Sequence, residues 1–343
     1  MMAEHRSVDT KSVAWLNREC VWTSIRHIRT IFVLVLSVGL TMIPVSASAD
    51  PPITAAAFTP DGNGVVVGSQ SGLRMLSWPS LSATDSLKTQ LQNIHHVAFS
   101  PNGQQLLISG GVPGESGTIE ILDWPDRVLR STISSHEDVI YQASWSPDGT
   151  TISTAGADGF CKVIDVVTGQ VRSEFSGHSR PVLTVEYLDA EHCLSGGVDQ
   201  TIRLWKVSDG RLLRALNNHV NTVNMLARQA PAADRSLDQI ASISDDRTIR
   251  IWQPRIGRLV KFVRLSSEPQ CVVWSSDQKS LYVATKASMI YIIDVATMKV
   301  IAEQLTTLGV LHELLLDSER KLMLAAGEHG FQKIEIAKIK VVK

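Results

Sequence analysis

Apolar and polar residues alternate in short runs along most of this chain, and the runs end in the same few turn signals. Leu194-Ser-Gly-Gly-Val-Asp-Gln-Thr-Ile-Arg-Leu-Trp205 shows the unit. An apolar strand ends in Ser-Gly-Gly, a tight turn forms around Asp199, and a strand of β-formers follows in which every second residue is apolar. The unit returns at Ile240–Trp252, whose Trp stands 47 residues after Trp205, and at Ile152–Asp165, where Ile164 holds the Trp position 41 residues before it. Leu281–Asp294 places Ile293 there, 41 residues past Trp252, and Leu106–Asp123 places Leu122 there, 42 before Ile164. Weaker copies are Val65–Trp78 and Lys321–Ile336.

A unit of short strands cannot bury both of its own faces, so its copies must stack. A period of roughly 40–47 residues with four strands per copy predicts an all-β chain, a seven-bladed β-propeller of four-stranded antiparallel sheets. The blades are expected at about 53–88, 89–133, 134–175, 176–216, 217–265, 266–305 and 306–343. Turn chemistry supports these divisions: Thr-Pro-Asp-Gly, Ser-Pro-Asn-Gly and Ser-Pro-Asp-Gly follow the first strands of blades one to three, and Trp78-Pro79 and Trp124-Pro125 follow third strands. Gln229–Ser236 is an insertion between the first two strands of blade five. The last blade is expected to be thin, because Ala337–Lys343 leaves little room for a fourth strand and only Asp50-Pro-Pro precedes the first strand of a cleaved chain.

These residues resemble the WD-repeat β-propellers over roughly Ile53 to the C-terminus. The resemblance rests on Gly177-His178, on the Ser195/Asp199/Trp205 spacing, and on the recurring Ser-Pro-Asn-Gly and Ser-Pro-Asp-Gly turns; no repeat keeps a true Trp-Asp pair. It implies a hydrogen-bonded series in each blade: a His before the first strand, a Ser or Thr on the second, an Asp in the next turn and a Trp on the third. The donor and acceptor inventories of these side chains suit such a series. Blade four completes it with His178, Ser195, Asp199 and Trp205, and blade five with His219, Ser242, Asp246 and Trp252. Blade three offers His136, Thr154 and Asp158, with Ile164 in place of the indole. A Ser/His/Asp trio invites a nucleophile reading, but its recurrence at blade spacing makes it part of the fold. Blades four and five are expected to be the most ordered.

Composition narrows the picture. The chain has 343 residues and a formal net charge of −1, with no concentrated basic face of the kind nucleic acid requires. Thr30–Val45 is strongly apolar, follows Arg26 and Arg29, and leads to Ala47-Ser-Ala49. This reads as a signal peptide, residues 1–49, and so as an exported, periplasmic or secreted bacterial protein. The alternative is an uncleaved membrane anchor at residues 30–45. Of four cysteines, Cys20 lies in the leader. Cys161, Cys193 and Cys271 read as small buried hydrophobes, with a Cys161–Cys193 bridge between blades as the other possibility.

Catalytic signatures are missing: there is no Gly-x-Ser-x-Gly, no phosphate loop and no Cys-x-x-Cys. His136-Glu137 and His312-Glu313 lack the second His of a zinc helix, and His95-His96 would point to opposite faces of a strand. No cofactor or metal is expected. The resemblance implies partner binding on the loops before first strands and between second and third strands. Here those loops carry Glu137, Asp138, Ser179, Arg180, Asn221, Gly197, Val198 and Asp245, and ordinary solvation accounts for them equally well. The expected function is therefore a non-enzymatic platform for other proteins or peptides, in the cell envelope or outside the cell. The alternative is a lactonase-like or quinoprotein-like propeller using an axial funnel, to which the sequence offers only His95, Glu186 and His312.

Overall fold

A computed structural model describes residues 51–230 and 238–342. The leader, its cleavage point and its anchor alternative lie outside the described residues, as does most of the blade-five insertion. Among the described residues no helix is long and apolar enough to cross a membrane.

Seven antiparallel sheets follow one another along the chain, each built from consecutive strands except the sixth, which the C-terminal strand joins. The first strands are Ile53–Phe58, Ile94–Phe99, Ile140–Trp145, Val182–Tyr187, Val223–Arg228, Pro269–Trp274 and Leu311–Asp317. Each touches the first strand of the next blade, and the last returns to the first, so together they line a central axis. This is the seven-bladed propeller expected from the period.

The alternation in each strand serves two neighbours at once. In Thr248–Gln253, Ile249 and Ile251 enter a core shared with blade six, while Trp252 enters one shared with blade four. Seven such cores separate the blades; the one between blades three and four joins Val163 and Phe175 to Val185, Tyr187 and Trp205. Burying both faces of every sheet is what the ring achieves and an isolated blade does not.

Blade seven departs from the four-strand rule. It has three strands, the last being Gly330–Glu335. The chain then makes a 3-10 turn at Ile336–Lys338, and Lys340–Val341 joins the outer edge of blade six, with Val341 opposite Ala302. Ile339 explains the crossing: it is buried in the core between blades six and seven, which carries the tail over to blade six. Closure between blades seven and one rests on a shared core and on side chains. Trp78 Nε1 donates to Asp317 Oδ2 at 2.7 Å, and Lys333 Nζ donates to Pro79 O at 3.0 Å. Trp78-Pro79 and Trp124-Pro125 are cis peptides in matching turns.

All three described cysteines are free and buried, so the bridge considered for Cys161 and Cys193 does not form.

Candidate functional site

Three of the loops before first strands are tied down by the predicted side chains. In blade four, His178 Nδ1 lies 3.0 Å from Asp199 Oδ2, His178 Nε2 lies 2.7 Å from Ser195 Oγ, and Trp205 Nε1 donates to Ser195 Oγ at 3.2 Å. Blade five repeats this with His219, Asp246, Ser242 and Trp252, each link at 2.8 Å. In blade three, His136 bonds Asp158 at 2.9 Å and Thr154 at 2.7 Å. With Ile164 in the indole position, Thr154 Oγ1 instead lies 3.3 Å from the Lys162 carbonyl.

The chemistry fixes the protons. A carboxylate only accepts, so Nδ1 carries the hydrogen; Nε2 then accepts from the hydroxyl, whose oxygen accepts from the indole. Burial opposes ionisation of the three carboxyls, but the His hydrogen bonds and nearby donors outweigh it and hold Asp158, Asp199 and Asp246 below the usual carboxylate range. Burial also pushes His219 below its ordinary pKa, against the pull of Asp246. Gly156 shows how tightly blade three is packed here: a Cβ on it would stand 2.3 Å from Asp158 Oδ1 and 2.4 Å from His136 Nδ1.

Each aspartate also accepts the backbone N–H just after its His: Glu137 N at 3.2 Å, Ser179 N at 3.3 Å and Val220 N at 3.2 Å. The loops are thus pinned from below while Glu137, Arg180 and Asn221 stay exposed above, beside Val220. Two residues of the expected loop set are engaged elsewhere. Asp138 accepts Gly114 N from the long hairpin of blade two at 2.9 Å. Asp245, expected in a solvated turn, accepts from Asn224 at 2.7 Å and pairs with Lys286 at 2.9 Å, linking blades five and six. Gly197 is buried and Val198 half-buried.

The axis holds order that sequence reading missed. Every first strand carries a bulge at its second residue, which puts Thr54, His95, Tyr141, Leu183, Asn224, Gln270 and His312 in one half-buried ring just inside the loop face. His95 meets Tyr141 edge-on, with ring centroids 5.2 Å apart. The next residue of each strand faces the following blade. Gln142 Oε1 accepts Val185 N at 3.0 Å, Thr184 Oγ1 accepts Leu226 N at 3.0 Å, and Met225 Sδ accepts Val272 N at 3.5 Å. At blades six and seven the pattern changes: Glu313 Oε1 accepts Leu314 N of its own strand at 3.2 Å and the Cys271 thiol of blade six at 3.6 Å. The series breaks at blades one and two, where Ala55 has no polar atom and His96 Nδ1 is buried without a partner.

Another missed residue is Glu120, fully buried on the third strand of blade two. It accepts Thr89 Oγ1 at 2.7 Å and Gln90 N at 3.0 Å, pinning the loop that a His–Asp pair pins in blades three to five. The readable signal was a lone acid in an otherwise apolar strand, Ile119-Glu120-Ile121.

The axial residues offered to an enzyme do not converge. His95 and His312 occupy the bulge ring, whereas Glu186 lies three residues further along its strand than the bulge. Glu186 is pushed up to about 7 by burial, against the nearby charge of Arg228. Among the described residues no three His, Cys, Asp or Glu side chains gather as a metal site would require.

The fold is a seven-bladed β-propeller in which His–Ser/Thr–Asp series pin three loops. The WD40 family (WD domain, G-beta repeat) matches residues 127–165, 169–206 and 210–253, three segments that hold the three networks. Among curated relatives, the guanine nucleotide-binding protein subunit beta of Oryza sativa subsp. japonica is 28% identical over 58% of this chain and 55% of its own length. Ribosome biogenesis protein YTM1 of Kluyveromyces lactis is 31% identical over 29% of this chain and 24% of its own length. Protein Notchless of Drosophila melanogaster is 24% identical over 32% of this chain and 30% of its own length. The chain thus spans from a quarter to about half of these relatives. All three are eukaryotic and one is named for ribosome biogenesis, which is intracellular work; this overturns the expectation of export to the periplasm or beyond.

Proposed function

We propose that this chain is a non-enzymatic WD-repeat propeller that presents its loop face to other proteins. One observation carries the reading: three adjacent loops are fixed by buried networks yet leave Glu137, Arg180 and Asn221 exposed. A surface whose backbone is already ordered loses little conformational freedom on binding, and so favours protein recognition. The half-buried Tyr141 and Leu183 at the mouth of the ring add apolar area beside these polar side chains. The networks themselves act in the fold rather than in chemistry, since every polar atom of the trio is occupied by another member or by the loop backbone.

The test is affinity purification with the native chain and with the Glu137→Arg/Arg180→Glu variant, both folded by circular dichroism. Partners retained by the native chain should be lost from the variant. Retention of the same partners by both would overturn the loop-face assignment.

A further inference from the structure

The outer strands of blades four and five carry charge of one sign. Segments 211–216 and 254–264 contain Arg211, Arg214, Arg255, Arg258, Lys261 and Arg264 and not one acid, in a chain whose net charge is −1. Arg255 is paired with Asp189 and Asp238, and Lys261 bonds the carbonyls of Val295 and Ala296. Arg214, Arg258 and Arg264 are exposed and form no ion pair among the described residues. Phe262, 59% exposed, shares a face of its strand with Arg264 and has the Arg250 guanidinium 5.9 Å from its ring centre, whereas Arg258, opposite Gln253, lies on the other face.

The backbone there is also available. Arg258–Arg264 is the outermost strand of its sheet, and its free edge pairs with nothing among the described residues. The outer strand of the next blade, Lys299–Leu305, has the same length and does hold an added strand, the chain's own Lys340–Val341. An outer edge of this ring therefore accepts strand addition.

We propose that the outer edge of blade five docks an acidic segment of a partner protein, with acids on both faces and an apolar residue among them, as an added strand. The proposal rests on the interaction-platform reading and adds a second surface to it. Main-chain hydrogen bonds would supply affinity. On one face Arg264 would select an acidic side chain and Phe262 beside it would cover an apolar one, and on the other face Arg258 would select a second acid. Charge chooses among occupants: a second copy of this strand would bring like charges together and is repelled, whereas an acidic strand neutralises them.

The test uses the full chain and a fluorescein-labelled peptide, Glu-Thr-Phe-Glu-Val-Glu-Thr, read by anisotropy. Controls are a peptide with Lys at each acidic position and an N-methylated version of the acidic one. The acidic peptide should bind, more weakly as salt rises. The other two should not bind, and Arg258→Glu/Arg264→Glu should weaken binding by about tenfold or more with its melting temperature unchanged. Arg180→Glu, on the loop face, should leave peptide binding intact. Absence of binding, or binding indifferent to N-methylation or to the rim reversal, overturns the proposal. So does a preference for polyuridylate or for phosphatidylserine-containing vesicles that the rim reversal abolishes. Loss of peptide binding in Arg180→Glu would assign the peptide to the loop face, whose own test stays separate.

Discussion

Gln142 of blade three accepts the backbone N–H of Val185 of blade four at 3.0 Å. The contact states the problem at the centre of the ring. The innermost strand of each sheet has an inner edge with no strand beside it, so its backbone donors need partners from elsewhere. Three blades supply that partner from the neighbouring first strand: Gln142, Thr184 and Met225. Replacing Gln142 by Leu keeps its bulk and removes the acceptor. The expected cost is about 1–3 kcal/mol, the penalty of a buried unpaired donor, read from urea denaturation midpoints. A midpoint equal to the parent's would mean that water already serves Val185.

Asp199 accepts from His178, from Ser179 N and from Thr201. Asp199→Ala orphans these donors together and should cost about 1–3 kcal/mol. Trp252→Phe in blade five removes only the last donor of its series and should cost less, as His219 and Ser242 keep each other. Equal losses in the two variants would show that packing of the indole, not the series, sets the energy.

Gly156 should not tolerate even a methyl group. Gly156→Ala would place a carbon against Asp158 Oδ1 and His136 Nδ1, so the pair must separate or the strand must shift. Overpacking of this kind costs about 1–3 kcal/mol, and proteolysis at the Glu137 loop should accelerate. Unchanged cleavage there would deny that the network orders the loop.

The acid limb of stability has a definite sign. His219 is held below its ordinary 6.5, so the unfolded chain takes up that proton first and stability falls as pH drops below 6.5. Asp158, Asp199 and Asp246 are held below 3.8, so their contribution is present above that pH and is lost as pH falls further. Denaturation midpoints should decline in two stages on acidification, and His219→Gln should reduce the first, which it shares with His95, His96 and His312, also held below 6.5 by burial. An unaltered first stage in that variant would place the titration elsewhere.

Glu313 runs the other way. Burial, partly offset by hydrogen bonds from Leu314, Cys271 and Ala56, pushes its carboxyl up from 4.5 to about 7. The folded chain keeps that proton over a range where the unfolded chain has released it, so stability is lost as pH rises across this window. Glu313→Gln retains an acceptor without the charge. It should match the parent at pH 5 and exceed it at pH 8 in melting temperature. A variant less stable at pH 8 would show that the ionised carboxylate is the favoured form.

The period of the strands was legible because side-chain alternation is local: Ile249, Ile251 and their polar neighbours report which residues face a core without saying which core. The His, Ser and Asp series was legible because its members lie within one repeat. Glu120 escaped because it solves the same loop-pinning problem with one carboxylate from a different strand. Asp245 was read as a solvated turn residue because its partner, Lys286, lies in the next blade.

The amino-acid order alone determined the number of modules, their strand content and the residues of each internal network, since those depend on spacing inside some 40 residues. Only the closed ring decided what happens between modules. It set the cross-blade donors at the axis, the closure of blade seven on Trp78 and Asp317, and the passage of the tail to the edge of blade six. Those relationships join residues from separate repeats, and no local pattern encodes a contact that exists only after the blades have stacked.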